Sequence, residues 1–140
     1  MPTLPAILMT ASAAIPLLLG SAHLMFTFRG TRFHPRDASL MAQMQSVSPV
    51  LTRQTTMWRA WIGFNASHSY GAMLFGLVYG YLALIHPAFL FSATFLLALG
   101  AAFLLAYLVL AKRYWFRIPF RGLLLSSALY LAALALTLMP

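Results

Sequence analysis

Cysteine is absent from the chain, and Asp37 is the only acidic side chain among its 140 residues. Without cysteine, the chain can form no disulfide and no site in which thiolates hold zinc or an iron–sulfur cluster. Charged residues of both signs make up only 7% of the chain, whereas an ordinary soluble domain has about 25%. A soluble fold with so little charge would expose large apolar patches to water. The shortage of charge therefore indicates an integral membrane protein.

Apolar residues make up 62% of the chain and gather in four long runs. We predict four membrane-spanning helices, at residues 4–28, 58–85, 87–111 and 119–139. Each run reaches the roughly 20 residues that a helix needs to cross a bilayer. The first run has small residues like those of a signal peptide, but no positive charge precedes it, so we expect a retained helix. The predicted fold class is all-α: an integral membrane four-transmembrane-helix bundle in a single domain, residues 1–140.

The polar segment between the first two runs predicts a short interfacial helix in the first cytoplasmic loop. Asp37 is placed to cap this helix at its start. Its apolar residues recur on one face, as in a helix that lies on a membrane surface: Leu40, Met44, Val47 and Leu51. Ser48 before Pro49 predicts a second helix start that leads into the second span.

The basic residues mark one side of the predicted membrane protein. All nine lie in or beside the first and third loops: Arg29, Arg32, Arg36, Arg53, Arg59, Lys112, Arg113, Arg117 and Arg121. The positive-inside rule places those loops in the cytoplasm and both termini outside, in the periplasm. The net charge of +8 is thus explained by topology, and since no soluble basic domain carries it, we exclude nucleic acid as a partner.

Hydrogen-bonding side chains occur in every predicted span at a similar distance from its basic end. At 1.5 Å per helical residue, they lie about 8–13 Å inward from the nearest basic residue. The set comprises His23, Asn65, Ser67, His68, Tyr107, Ser126 and Tyr130. Because lipid cannot satisfy such groups, we expect them to meet inside the bundle as one polar layer. Arg29, Arg59 and Arg121 would form a rim that attracts an anionic headgroup.

Several roles are open for this layer. The side chains could hydrogen-bond one another and serve helix packing alone. They could instead hold the head of an amphiphile or lipid-like ligand whose tail lies in the apolar outer half. His23 and His68 could ligate haem or another metal, or act as acid and base, although the spans contain no carboxylate or thiolate to complete a metal site. We expect no cofactor, with haem as the alternative.

Four sequence motifs resemble those of a known family. The first span contains Gly20-Ser-Ala-His-Leu24, and the second contains Gly63-Phe-Asn-Ala-Ser-His-Ser-Tyr-Gly71. The loop between them contains Phe33-His-Pro-Arg-Asp37 and ends in Ser48-Pro-Val-Leu-Thr-Arg-Gln-Thr-Thr-Met-Trp58. Together they resemble a family of small four-span proteins of bacterial inner membranes, with GxxHL in the first span and GFNxSHS in the second. The resemblance extends over nearly the whole chain and implies the same topology in an inner membrane. That family has no assigned activity, so the resemblance implies no reaction.

These patterns predict a non-enzymatic accessory or ligand-binding subunit with membrane lipid as its partner. A larger membrane complex or a second copy of the chain could also bind, because Gly76, Gly80 and Gly100 would permit close approach of another helix. The alternative is a membrane redox subunit or enzyme that uses His23 and His68.

Overall fold

Six helices make up most of the chain in a computed structural model that describes residues 2–138. They are α1 (Leu4–Phe28), α2 (Ala38–Ser46), α3 (Met57–Ile85), α4 (Pro87–Ser92), α5 (Thr94–Tyr114) and α6 (Arg117–Leu138). No strand occurs within residues 2–138. Four of the helices, α1, α3, α5 and α6, are long and apolar enough to cross a membrane. The predicted all-α class with four membrane-spanning helices is confirmed.

Three spans have nearly the predicted bounds. α1 covers the predicted residues 4–28, and α3 starts one residue before the predicted 58. α6 begins at Arg117, so that Pro119 lies in its first turn, where proline costs no helical hydrogen bond. The predicted end of this span, Met139, lies outside the described residues.

The third predicted run, residues 87–111, is broken in the structure. Pro87 stands in the first turn of the short helix α4, and Ala93 leaves helical geometry with φ −86° and ψ 82°. α5 then begins at Thr94 and continues to Tyr114, beyond the predicted end. Ser92 and Thr94 flank Ala93, but the run around these two hydroxyl residues is apolar enough that its mean hydropathy predicts one unbroken helix.

The expected helix start at Ser48 and Pro49 is wrong. Residues 47–56 contain no helix, and α3 begins at Met57. Thr56 provides the cap, because its Oγ1 accepts a hydrogen bond from the third backbone N–H of α3 at 3.3 Å. A serine before a proline is compatible with a helix start, but a better capping residue closer to the apolar run decides where the helix begins.

The described chain divides into two compact units. Residues 20–71 form one, here called the loop unit, and the residues before 20 together with those after 71 form the other, the core unit. α2 and the segments on either side of it belong to the loop unit, whereas α4, α5 and α6 belong to the core unit. α1 and α3 contribute residues to both. The expectation of a single domain stays a prediction.

The core unit is built around apolar side chains from α1, α3, α4, α5 and α6. Its buried cluster comprises Met9, Ala13, Phe75, Tyr79, Ala83, Leu90, Leu104, Ala111, Leu123, Tyr130 and Ala133. Gly76 brings α3 against α1 in this unit, since a Cβ there would lie 2.5 Å from Leu17 Cβ and 2.7 Å from the Ala13 carbonyl oxygen. Gly76 is therefore covered within the chain and is not open to a second copy, contrary to our expectation.

Two tyrosines of the core unit hydrogen-bond the first turn of α5. Tyr79 Oη donates to the Leu96 carbonyl at 2.6 Å, and Tyr130 Oη donates to the Leu97 carbonyl at 2.8 Å. A Cβ at Gly100 would lie 2.5 Å from Tyr130 Oη and 2.7 Å from Tyr79 Cε1. Gly100 thus leaves room for both rings, and it too is covered within the chain.

The loop unit is closed by hydrogen bonds at both ends of α2. The chain leaves α1 at Gly30, whose φ of 86° is a conformation that only glycine adopts without steric cost. Asp37 Oδ1 accepts a hydrogen bond from the Ser39 backbone N–H at 2.7 Å, which caps α2 as predicted. After α2, the Met57 backbone N–H donates to the Val47 carbonyl at 2.8 Å and returns the chain to α3.

Candidate functional site

His23 and Asn65 form a direct hydrogen bond within the loop unit. His23 Nε2 lies 2.8 Å from Asn65 Oδ1, and Asn65 Nδ2 donates to the Trp61 carbonyl, also at 2.8 Å. Trp61 precedes Asn65 by one helical turn, so α3 itself orients the amide toward α1. Two residues that we assigned to the polar layer are therefore partners.

The bonding pattern assigns the tautomer of His23. A backbone carbonyl can only accept a hydrogen bond, so the nitrogen of the Asn65 amide faces Trp61 and its oxygen faces His23. The amide oxygen also only accepts, so Nε2 of His23 carries the hydrogen. In the neutral imidazole, Nδ1 is then the acceptor nitrogen.

Aromatic rings surround His23. The Phe33 ring centroid lies 4.4 Å from that of His23 with an interplanar angle of 40°, and the His68 centroid lies 5.2 Å away at 74°. The backbone carbonyl of Phe33 accepts a hydrogen bond from Trp61 Nε1 at 3.1 Å. The segment after α1 is thereby attached to α3 and forms a wall beside the pair. We call His23, Asn65 and His68 the histidine–asparagine cluster.

The structure does not bring the predicted Ser67 into this cluster. Ser67 is exposed and donates to a carbonyl of its own helix three residues back, at 3.0 Å. Ser69 is fully buried and donates to the Asn65 carbonyl at 2.9 Å. Thr27 is also buried and donates to the His23 carbonyl at 2.8 Å. Helical periodicity could have identified both, since each lies four residues from a cluster residue and therefore on the same face.

The remaining predicted site residues, Tyr107, Ser126 and Tyr130, belong to the core unit and have contacts inside it. Ser126 Oγ donates to the Ser12 carbonyl at 2.8 Å, and Ser12 Oγ donates to the Ser126 carbonyl at 2.7 Å. Tyr130 bonds the start of α5, as described above. Tyr107 stacks on Phe103 with 4.2 Å between ring centroids. These polar groups contribute to packing in the core unit.

An open groove of about 380 Å³ lies in the loop unit. Its lining residues are Arg32, Phe33, His34, Pro35, Met44 and Trp61. Phe33 and Trp61 thus belong both to the groove and to the wall beside the histidine–asparagine cluster. The groove combines a permanent cation with apolar and aromatic walls, a combination typical of ligand sites.

The described lining residues include none of the predicted rim arginines. Arg29 and Arg59 are exposed in the loop unit, and Arg121 is exposed in the core unit. Arg32 lines the groove instead, with its guanidinium carbon 3.9 Å from the centroid of the Phe26 ring. Arg32 lies outside the helices, so no helical period could have indicated from the sequence that it lines the groove.

The geometry of His23 and His68 does not fit a haem held between them. A metal–imidazole bond is about 2 Å long, so two axial nitrogens lie about 4 Å apart and their ring centroids about 6 Å apart, on opposite faces of the porphyrin. In this structure the two rings meet edge to face at 5.2 Å, and His23 Nε2 is bonded to Asn65. Within residues 2–138, no group of three or more histidine, cysteine or acidic residues comes together as a metal site.

The one side-chain carboxylate of the chain hydrogen-bonds the first turn of its own helix, α2. Asp37 Oδ1 accepts hydrogen bonds from Ser39 Oγ and from the Ser39 backbone N–H, each at 2.7 Å. Because the ionised form accepts these bonds best, they hold the pKa of Asp37 below its ordinary value. Asp37 is therefore ionised at neutral pH and serves as the cap of α2.

Comparison with family models, with curated proteins and with solved structures finds no match to this chain. The resemblance to small four-span inner-membrane proteins stays a prediction. The function of the chain must then be inferred from the chemistry and geometry of its described residues.

Proposed function

We propose that this chain is a non-enzymatic, lipid-binding membrane protein whose loop unit lies on the anionic cytoplasmic surface of a bacterial inner membrane. Its four apolar helices support the membrane location. The positive-inside rule supports the cytoplasmic side for the loop unit and the outer side for both termini. An accessory role beside a larger membrane complex, or self-association, is compatible with this proposal and stays a prediction.

The exposed apolar surface of α2 and the loop after it carries this proposal. α2 has no buried residue. The exposed fractions are 47% for Leu40, 53% for Val47, 109% for Val50 and 94% for Leu51. Several large apolar side chains that are exposed within residues 40–51 indicate an interaction surface. A lipid interface would cover them, because an amphipathic segment buries its apolar face about 5–10 Å into the boundary between headgroups and acyl chains.

The charges of the loop unit favour an anionic surface. Its five arginines are Arg29, Arg32, Arg36, Arg53 and Arg59, and Asp37 is its one carboxylate. Each arginine near an anionic leaflet contributes about 1 kcal/mol of attraction, which salt screens within a Debye length. Apolar contact and positive charge thus act together on the same occupant, an anionic lipid surface.

Labels on the two faces of α2 test this proposal. Because the chain has no cysteine, a cysteine introduced by Leu40→Cys or by Ala42→Cys can carry a unique environment-sensitive fluorophore. Both side chains are exposed, but they lie on opposite faces of α2. In nanodiscs that contain phosphatidylglycerol, we expect a blue-shifted label at position 40 that nitroxide-bearing lipids quench, and a water-exposed label at position 42. Equal emission and quenching at the two positions would contradict the proposal.

The orientation has a separate test. Thr3→Cys and Gln54→Cys each introduce one exposed thiol, near the N-terminus and in the first loop respectively. In intact cells with a permeable outer membrane, a membrane-impermeant maleimide should label position 3 and should reach position 54 only after lysis. Labelling of position 54 before lysis would show that the proposed orientation is wrong.

A further inference from the structure

We infer that the groove lined by Arg32, Phe33, His34, Pro35, Met44 and Trp61 binds the phosphate-bearing headgroup of one anionic membrane lipid. This inference deepens the proposed function and rests on it, because the groove belongs to the loop unit that we place at the lipid surface. It adds a discrete site to what would otherwise be a diffuse attraction between arginines and an anionic leaflet.

The cation of the groove is suited to a phosphate. Arg32 holds its guanidinium carbon 3.9 Å from the centroid of the Phe26 ring, a cation–π contact that restricts the long side chain. A guanidinium keeps its charge at every physiological pH, and its planar edge can donate two parallel hydrogen bonds to one phosphate. His34 is a second nitrogen-bearing lining residue, and its ring meets Trp58 edge to face at 5.0 Å.

The other walls favour a lipid over free phosphate. Phe33, Pro35, Met44 and Trp61 present apolar or aromatic surface around the cation. Trp61 donates its indole N–H to the Phe33 carbonyl at 3.1 Å. With this donor engaged, the Trp61 ring contributes apolar contact to the groove. A bare phosphate would gain nothing from such walls, whereas a lipid would bury its glycerol and upper acyl carbons against them.

The position of Met44 relates the groove to the apolar surface of α2. Met44 lies one turn after Leu40 on α2 and lines the groove. A helix that lies on the membrane with Leu40 toward the acyl chains would bring Met44 to the level of the headgroups and upper acyl carbons. The open groove would then receive its lipid directly from the leaflet.

Native mass spectrometry of the full chain in a mild detergent tests the site. With equal amounts of phosphatidylglycerol and phosphatidylcholine supplied, we expect the chain to retain one phosphatidylglycerol. Arg32→Gln should reduce retention about tenfold, as expected for the loss of a charge-assisted hydrogen bond. Arg113→Gln, which removes an exposed charge from the end of α5 in the core unit, is the matched control and should leave retention unchanged.

Two further measurements keep the inference testable if Arg32→Gln folds poorly. Arg32→Lys keeps the charge but loses the planar fork, so we expect intermediate retention. Excess inorganic phosphate should fail to displace the lipid, because it cannot use the apolar walls. Equal retention in the Arg32 and Arg113 variants, equal retention of both lipids, or displacement by phosphate would each overturn the inference.

The fluorophore on α2 separates this inference from the proposed function. Arg32→Gln should reduce lipid retention about tenfold and leave the label at position 40 buried in lipid. If the label at position 40 is exposed to water but retention still depends on Arg32, the proposed placement of α2 fails and the groove site remains. If the label is buried and retention is independent of Arg32, the groove site fails and the proposed function remains.

Discussion

Asn65 accepts a hydrogen bond from His23 Nε2 and donates one to the Trp61 carbonyl, each at 2.8 Å. One amide thereby joins α1 to α3 and uses both of its polar atoms. This arrangement favours helix packing as the role of the histidine–asparagine cluster. The groove in which we place the lipid headgroup shares Trp61 with this arrangement, but none of the three cluster residues is among its lining residues.

Replacing Asn65 should destabilise the protein without releasing a bound lipid. Asn65→Leu removes both hydrogen bonds and leaves the Nε2–H of His23 without its acceptor, at a cost of about 1–3 kcal/mol. We expect a lower midpoint of thermal unfolding in the same detergent, with phosphatidylglycerol retention unchanged. Ser67→Ala is the control, because Ser67 is exposed and donates its hydrogen bond within its own helix. Loss of lipid in Asn65→Leu, with wild-type retention in Arg32→Gln, would instead locate the ligand at the cluster.

The reciprocal pair of Ser12 and Ser126 should contribute measurably to the stability of the core unit. Each hydroxyl donates to the other residue's carbonyl, and both residues are fully buried. Ser12→Ala and Ser126→Ala should each lower the free energy of unfolding by about 0.6 kcal/mol, a typical value for one hydrogen bond between membrane helices. Ser127→Ala, which removes a bond within α6 only, should have a smaller effect. Equal effects in all three variants would show that the hydrogen bonds between α1 and α6 stabilise the protein no more than the bond within α6 does.

Gly100 should tolerate no side chain, in contrast to Gly63. In Gly100→Ala the new Cβ would meet Tyr130 Oη at 2.5 Å and Tyr79 Cε1 at 2.7 Å. Displacing these hydrogen-bonded rings should cost about 1–3 kcal/mol. Gly63→Ala is the control, since a Cβ there meets nothing within 4 Å, and alanine in a helix interior is more stable than glycine by up to about 1 kcal/mol. The measurement is the free energy of unfolding in a denaturing detergent. Equal stability of Gly100→Ala and Gly63→Ala would contradict this prediction.

The cap of α2 should be lost only in acid. The pKa of Asp37 is lowered in the folded protein by its bonds from Ser39, so its contribution to stability is fully present above the ordinary aspartate pKa. That contribution is lost as the pH falls through the lowered pKa. We therefore expect α2 amides to stay protected from hydrogen exchange near neutral pH and to lose protection in strong acid. Asp37→Asn still caps without titrating and should remove this pH dependence.

A direct titration checks the same point. Since Asp37 is the only acidic side chain, its carboxyl carbon resonance can be followed by NMR with only the terminal carboxylate as a second signal. Its midpoint should lie below the ordinary aspartate value. A midpoint at or above that value would show that the Ser39 bonds do not favour the ionised form.

Sequence reasoning could find His23 and Asn65 because each is a strongly polar residue within an apolar run. Such a residue needs a hydrogen-bonding partner inside the bundle, so the sequence predicts that both side chains point inward to polar groups. The groove could not be predicted from the sequence, because Phe33 and Pro35 belong to a loop. A loop has no fixed period that tells which way a side chain points. The prediction for Ser67 was based on its depth along the second span, and depth does not tell whether that face of the helix is buried or exposed.

The amino-acid sequence by itself determined that this protein is built for a lipid bilayer and that it has four long helices. A helix that crosses a bilayer needs a continuous run of about 20 apolar residues, and such a run is visible in the sequence without knowledge of distant contacts. Tertiary structure alone decided that Ser12 meets Ser126, that Gly76 and Gly100 are covered within the chain, and that Arg32 lines a groove. These outcomes depend on distances between residues that are far apart in sequence or in irregular segments, and no local pattern contains those distances.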